Sequence, residues 1–255
     1  GAGITISTSL YGTISSENTL SNVGGAGITI SSSQDSTISS GNTLSDVGGN
    51  GITISSSQDT KILNNNITSL GKGISLSSCP DAEILSNQVT SGGTNGVYVT
   101  GSSYASIKYN NLTGGSSEGI FLSSSPYSDI ISDTISYYSA SGIYSASSDS
   151  LIVLNTIVLG NGSYGIFLDD QNDDAVISGN SITDNSSNGI EMDEYNLRMT
   201  ISENEISDNG SYGIKYDQYN DNATISDNNI TGHSSGGIYL YHSNDNMLIQ
   251  GNEIT

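Results

Sequence analysis

Aliphatic residues recur along this chain at a nearly constant spacing of 22–24 residues, each time directly after a glycine. After each glycine the residues alternate aliphatic, spacer, aliphatic, which predicts a short strand with one buried face. A repeat of this length running through the whole chain predicts stacked units that share one continuous core. Eleven glycines open the units: Gly3, Gly27, Gly51, Gly73, Gly96, Gly119, Gly142, Gly165, Gly189, Gly213 and Gly237.

Each unit contains two further inward aliphatic positions, one in each of two more short strands. The first column is predicted to be Ile14, Ile38, Ile62, Ile84, Ile107, Ile130, Ile152, Ile177, Ile201, Ile225 and Ile249. The second is predicted to be Leu20, Leu44, Ile67, Val89, Leu112, Ile135, Ile157, Ile182, Ile206, Ile230 and Ile254. Three short strands per unit, with no segment long enough for a helix, predict a right-handed parallel β-helix. We expect an all-β fold of about eleven coils that spans residues 1–255 as a single domain.

An asparagine column lies two residues before each member of that second column, with one aspartate in it. The column is Asn18, Asn42, Asn65, Asn87, Asn110, Asp133, Asn155, Asn180, Asn204, Asn228 and Asn252. A side-chain amide is both a donor and an acceptor, so amides stacked at the spacing of neighbouring strands can bond to one another. We therefore predict a structural asparagine ladder rather than a ligand site.

The pattern G-I-x-I…I-x-x-N-x-I resembles the parallel β-helix repeat of the pectin-lyase-like superfamily, including its NosD-like and archaeal surface-layer relatives. The resemblance covers the whole chain and implies the fold. It does not imply one activity, because the superfamily includes lyases, hydrolases, epimerases, adhesins and structural proteins.

The charge of the chain restricts its partners. It holds 26 acidic and 5 basic residues, for a net charge of −21. This argues against nucleic acid as a partner, because phosphates are bound by Lys and Arg. No apolar run approaches the ~18 residues of a membrane span, and the only cysteine, Cys79, excludes an intrachain disulfide. We expect an extracellular or cell-surface protein.

Aromatic residues occupy the outward spacer position of several first strands: Tyr98, Phe121, Tyr144, Phe167 and, farther on, Tyr239. Such a ladder can stabilise the sheet by cross-strand stacking, pack against another protein, or stack sugar rings. The sequence leaves these three roles open.

Acidic residues occupy the next outward column at Asp169, Asp193 and Asp217. Stacked carboxylates repel one another unless solvent or a cation lies between them, and calcium prefers such oxygen ligands. A solvated acidic face and a calcium site are both consistent with this column. No other cofactor is expected.

The catalytic motifs of the resembled enzymes are incomplete in this chain. It lacks the Arg-Ile-Lys segment of polygalacturonase-like enzymes and the Asp-Pro-His segment of alginate-epimerase-like enzymes. Pectate-lyase-like enzymes need a basic residue as proton abstractor, and the only arginine, Arg198, lies in a turn. These absences weigh against an enzyme. If there is an active site, we expect it at Glu191, Asp193, Lys215, Asp217 and His242.

Seven Asn-x-Ser/Thr sequences are candidate N-glycosylation sites, and none belongs to the predicted ladder. They begin at Asn66, Asn111, Asn161, Asn185, Asn209, Asn222 and Asn229.

Both ends of the chain continue the repeat, with no evident end cap. Because an open β-helix end exposes unpaired backbone, we expect either head-to-tail stacking of copies or continuation in a longer chain. The favoured prediction is an extracellular structural protein that builds a filament, sheath or surface layer. The alternative is a carbohydrate-binding or polysaccharide-processing β-helix.

Overall fold

The computed structural model describes residues 1–255, which form three parallel β-sheets of eleven strands each. Successive strands along the chain enter sheet 1, sheet 2 and sheet 3 in turn, so each coil contributes one strand to every sheet. Parallel neighbours connected in this way wind with a right-handed sense. This confirms the predicted all-β, right-handed parallel β-helix. No helix in the structure is long and apolar enough to span a membrane.

Sheet 1 holds the strands that follow the repeated glycines, and it pairs in register, with Ile4 opposite Ile28 and Tyr98 opposite Phe121. Its strands are β1 Ile4–Ser7, β4 Ile28–Ser31, β7 Ile52–Ser55, β10 Ile74–Ser77, β13 Val97–Thr100, β16 Ile120–Ser123, β19 Ile143–Ala146, β22 Ile166–Leu168, β25 Ile190–Met192, β28 Tyr212–Gln218 and β31 Gly236–His242.

Sheets 2 and 3 are formed by the second and third strands of each coil. Sheet 2 contains β2 Thr13–Ile14, β5 Thr37–Ile38, β8 Lys61–Leu63, β11 Glu83–Leu85, β14 Ser106–Lys108, β17 Asp129–Ile131, β20 Ile152–Leu154, β23 Val176–Ser178, β26 Thr200–Ser202, β29 Thr224–Ser226 and β32 Leu248–Gln250. Sheet 3 contains β3 Thr19–Ser21, β6 Thr43–Val47, β9 Asn66–Ser69, β12 Gln88–Ser91, β15 Asn111–Gly115, β18 Thr134–Tyr138, β21 Ile157–Leu159, β24 Ser181–Thr183, β27 Glu205–Ser207, β30 Asn229–Thr231 and β33 Glu253–Ile254.

The repeated glycines stand where two backbones and the core meet. A Cβ added to Gly73 would lie 2.6 Å from the carbonyl oxygen of Gly96 and would overlap the side chain of Val89. A glycine is therefore needed there for close approach, not for an unusual backbone angle. Between the three sheets, 46 buried apolar residues form one continuous cluster.

The predicted asparagine ladder is present. Asn42 Nδ2 donates to Asn65 Oδ1 over 2.8 Å, and Asn65 Nδ2 donates to Asn87 Oδ1 over 3.0 Å. The same amides also reach back to carbonyls of the preceding coil, as Asn87 Nδ2 does to the carbonyl oxygen of Ile62 over 2.8 Å. Each buried amide is thereby paired on both sides, as burial requires.

The predicted register of the seventh coil was wrong by one residue. Val153 and Val158 point inward there, while Ile152 and Ile157 are 38% and 45% exposed. The ladder position is accordingly Thr156, whose Oγ1 accepts the backbone N–H of Asp133 over 3.4 Å. In Ile152–Leu154 and Ile157–Leu159 every residue is aliphatic, so alternation alone could not tell the two faces apart.

A second asparagine ladder lies at the corner after sheet 3. Asn161 Nδ2 donates to Asn185 Oδ1, and Asn185 Nδ2 to Asn209 Oδ1, each over 2.9 Å. The next coil places His233 there, and its Nδ1 accepts the backbone N–H of Asn209 over 3.2 Å.

This second ladder corrects part of the glycosylation prediction. Asn161, Asn185 and Asn209 are at most 1% exposed, and their amide groups are used inside the fold, so a glycan cannot occupy them in the folded protein. The other four sequons begin at exposed residues and stay predictions: Asn66, Asn111, Asn222 and Asn229.

A third column stabilises the turn after sheet 1. In all members except Cys79 a side-chain oxygen accepts a backbone N–H group of the preceding coil, as Ser102 Oγ does from Cys79 over 2.9 Å. The Cys79 thiol lies instead against the carbonyl oxygens of Ile54 and Ser77. The column is Ser33, Ser57, Cys79, Ser102, Ser125, Ser148, Asn172, Asn196, Asn220 and Asn244. Cys79 is thus a buried member of a serine column, and burial raises the pKa of its thiol, which makes it unreactive.

Candidate functional site

The outward aromatic column of sheet 1 begins as a continuous stack of rings. Tyr98 and Phe121 lie 4.8 Å apart between centroids, at 5° between planes, and Phe121 and Tyr144 lie 5.0 Å apart at 3°. Lys72 Nζ covers the other face of Tyr98 at 2.9 Å from its centroid. The ring faces are therefore occupied by one another and by a cation, and only ring edges remain for a ligand.

The stack ends at Phe167, which meets Tyr144 edge-on at 68°. The next two outward positions are Glu191 and Lys215, so Tyr239 is not part of the same stack. Tyr239 stacks instead on Tyr212, with centroids 4.7 Å apart. The five predicted aromatic residues thus divide into two groups, separated by a charged pair.

That charged pair is the centre of a polar cluster. Lys215 Nζ lies 2.8 Å from Glu191 Oε1 and 3.2 Å from Asp217 Oδ2. Asn188 Nδ2 donates to the other oxygen, Glu191 Oε2, over 2.6 Å. Glu191 is only 5% exposed, so these partners replace the water that would otherwise stabilise its carboxylate. Burial acts to lower the pKa of Lys215, but the bonds to Glu191 and Asp217 prevail and raise it to about 12.

The acidic column runs beside this cluster. Burial, together with the neighbouring carboxylates of Asp169, Asp217 and Glu191, raises the pKa of Asp193 to about 6. Asp169 accepts a hydrogen bond from the hydroxyl of Tyr144. No group of three Asp, Glu, His or Cys side chains is arranged to hold a metal ion. The calcium site expected at Asp169, Asp193 and Asp217 stays a prediction.

An open depression of about 240 Å³ lies next to the cluster. It is lined by Lys215, Asp217, Tyr239 and Tyr241. We call these four residues the sheet-1 site. Tyr241 is 55% exposed and presents its ring at the rim. Two phenol rings beside a paired ammonium and carboxylate offer apolar contact and both kinds of hydrogen-bonding group.

Four of the five predicted catalytic residues lie close together, Glu191, Asp193, Lys215 and Asp217, and two of them, Lys215 and Asp217, line the depression. His242 does not line the depression; its ring lies 4.4 Å from that of Tyr241 and its Nδ1 lies 3.2 Å from Ser243 Oγ. Sequence reasoning missed Tyr241 as a site residue, although its place in the outward column beside Asp217 was a usable signal.

A larger depression, of about 440 Å³, lies at the N-terminal end of the chain. It runs along the turn that follows sheet 1 in the first three coils. Its lining contains hydroxyl and amide groups, one apolar side chain and no ionisable group: Thr8, Ser9, Leu10, Ser32, Ser33, Gln34, Ser56 and Gln58. Nothing in it can transfer a proton or hold a charge, so the sheet-1 site is the better candidate for chemistry.

A family model described as the right-handed β-helix region matches residues 1–125 and 95–254. The chain belongs to the right-handed β-helix family. No curated protein matches it significantly.

Solved structures of right-handed β-helix proteins superimpose on most of the chain. The periplasmic alginate epimerase AlgG has a TM-score of 0.68 at 14% identity, covering 89% of this chain and 74% of its own. The A-module of Azotobacter vinelandii mannuronan C-5 epimerase AlgE4 has a TM-score of 0.66 at 14% identity, covering 96% and 90%. Pectate lyase Pel9A has a TM-score of 0.54 at 12% identity, covering 87% and 70%. At these identities the similarity shows the fold.

Proposed function

We propose that this β-helix is a carbohydrate-binding protein whose glycan lies across the outward face of sheet 1 at the sheet-1 site. The observation that carries the proposal is the depression in which Tyr239 and Tyr241 stand beside the paired Lys215 and Asp217. Aromatic rings contact the apolar faces of sugars, and a fixed ion pair offers a donor and an acceptor to their hydroxyls.

The names of the similar structures support a function that involves polysaccharides. Those described above are named as alginate epimerases and a pectate lyase, and a tailspike protein has the same fold at a TM-score of 0.60. We further propose an extracellular or cell-surface location, in agreement with the net charge and with the periplasmic neighbour.

Loss of the Tyr241 ring tests the proposed site. A glycan array identifies a ligand, and calorimetric titration then measures its affinity. We expect Tyr241→Ala to weaken binding at least tenfold, about 1.4 kcal/mol, because an exposed stacking surface is removed. Tyr109→Ala is the matched control, since Tyr109 is similarly exposed and lies at the corner between sheets 2 and 3. Unchanged affinity in Tyr241→Ala would place the glycan elsewhere.

Processing of the bound glycan is a second candidate, favoured by Asp193. Its carboxyl lies beside Glu191 and Asp217 and has a pKa of about 6, so it can accept or give up a proton near neutral pH. We expect Asp193→Asn to lower turnover at least 100-fold while binding persists, as measured by product analysis of a bound glycan. Asp227→Asn, at an exposed distant position, is the control. A ligand that is bound and never chemically altered would leave binding as the whole function.

The filament, sheath or surface layer predicted from the sequence has no support among the comparisons. It stays a prediction, and electron microscopy of the purified protein tests it, because discrete short particles would contradict it.

A further inference from the structure

The charge arrangement around the sheet-1 site bears on which sugars it can accept. Uronate polymers carry a carboxylate on each sugar, and unpaired protein cations are the groups that bind carboxylates most strongly. Whether this chain has such cations can be decided from its five basic residues.

Four of the five basic side chains are already in ion pairs. Lys61 pairs with Glu83 at 3.2 Å, and Lys108 pairs with Asp129 at 2.9 Å. Arg198 lies 3.1 Å from Asp173 and 2.7 Å from Asp174. Each of these pairs joins two partly exposed side chains of the chain itself, and none of them lines the sheet-1 site.

The two basic residues not yet named are Lys215, the fourth paired side chain, which lies in β28 of sheet 1, and Lys72, which lies just before β10. Lys215 lines the site, but its ammonium group is shared between Glu191 and Asp217. Lys72 lies against the ring of Tyr98, six strands away, which is roughly 29 Å at the spacing of parallel strands. No unpaired cation is therefore available at the site.

The carboxylates, in contrast, are in excess. Sixteen of the 26 acidic residues lie within residues 169–255, together with only two basic residues. Beside the site, Asp193 has no cationic partner and is surrounded by other carboxylates. An incoming uronate carboxylate would meet repulsion here, whereas sugar hydroxyls would find acceptors in the same oxygens.

We infer that the ligand of the sheet-1 site is a glycan without carboxylate or sulfate groups. This inference rests on the proposed function and narrows it to a substrate class that differs from the uronate polymers named for the similar epimerases.

A panel of oligosaccharides of equal length tests the inference by calorimetric titration of the whole chain. Neutral probes are cello-, xylo- and manno-oligosaccharides, and acidic probes are alginate and polygalacturonate oligosaccharides. Each is titrated at low and high salt, with EDTA or with calcium. We expect at least one neutral probe to bind tenfold or more tighter than either acidic probe under every condition.

A charge-reversal variant adds a readout in the opposite direction. Asp193→Lys replaces one of the crowded carboxylates beside the site by a cation and so reduces the local excess of negative charge. We expect alginate or polygalacturonate binding to appear at low salt and to weaken as salt rises. No such gain is expected in Asp227→Lys, which changes the net charge equally at a distant exposed position.

The possible failures are distinguishable. Binding of an acidic probe by the unaltered chain within tenfold of the best neutral probe, with EDTA or with calcium, would overturn this inference and leave the proposed function standing. Absence of binding to every probe, neutral and acidic, would overturn both.

Discussion

Asp133 shows how much a single atom matters in a buried ladder. It occupies an asparagine position, and its Oδ1 accepts the Nδ2 and backbone N–H groups of Asn110 as an amide oxygen would. Its Oδ2 stands where the amide nitrogen would be and has no partner. Protonated Oδ2 can donate a bond, whereas ionised Oδ2 is a buried unpaired charge. Burial accordingly raises the pKa of Asp133 to about 7.

Replacement of this carboxyl by an amide should remove a pH dependence of stability. Because the folded pKa of Asp133 is above its unfolded value of about 3.9, its contribution is complete below pH 4 and is lost as pH rises through 7. The loss is on the order of 4 kcal/mol. Asp133→Asn should therefore exceed the parent protein in melting temperature increasingly from pH 4 to pH 8, as calorimetry can measure.

Asp184→Asn, at an exposed corner, is the control and should leave the pH profile of melting unchanged. If the melting temperature of Asp133→Asn changed with pH in parallel with that of the parent protein, ionisation of Asp133 would not destabilise the fold.

At the scale of the strand and coil, the repeat made most of the fold predictable. The inward columns and the main asparagine ladder follow from the repeat period, because in most coils the pattern allows only one strand register. The seventh coil failed because Ile152 and Val153 satisfy either face equally well. The ladder through Asn161, Asn185 and Asn209 was missed because it runs through only three amides, in a chain where asparagine is common.

The candidate site was predictable in part for the same reason. Glu191 and Lys215 occupy one outward column, so their cross-strand pairing could be anticipated. Burial of Glu191, the role of Asn188 and the depression beside Tyr241 depend on how side chains settle at the surface. Periodicity carries no information about that arrangement.

The repeated glycines should be the least replaceable positions of a coil. In Gly73→Ala the new methyl group would meet the backbone of Gly96 and the side chain of Val89, so neighbouring coils must separate. We expect a loss of about 3 kcal/mol in unfolding free energy, measured by denaturant titration. Gly24→Ala is the matched control, because its added Cβ meets nothing within 4 Å. Equal stability of the two variants would contradict the packing role.

On the scale of the whole molecule, charge divides the β-helix into unequal parts. Residues 169–255 hold sixteen acidic and two basic residues, whereas residues 84–148 hold three acidic and one basic. Because neighbouring coils stack like positions, the acidic coils repel one another along the helix axis.

Salt should therefore stabilise the molecule unevenly. We expect hydrogen exchange in residues 169–255 to slow when sodium chloride is raised from low to physiological concentration, because screening weakens the repulsion. Exchange in residues 84–148 should change little and is the internal control. A uniform response along the chain would argue that the acidic coils are not under electrostatic strain.

The ladders also determine how far apart in the chain bonded residues are. Asn180 bonds Asn204, and Asn204 bonds Asn228, each 24 residues farther along. A separation of one coil is roughly a tenth of the chain length. A relative contact order of that size is usual for helical bundles rather than for β-proteins. A chain of this design can nucleate at any adjacent pair of coils and grow by adding one coil at a time. Folding should thus be much faster than its all-parallel sheets suggest.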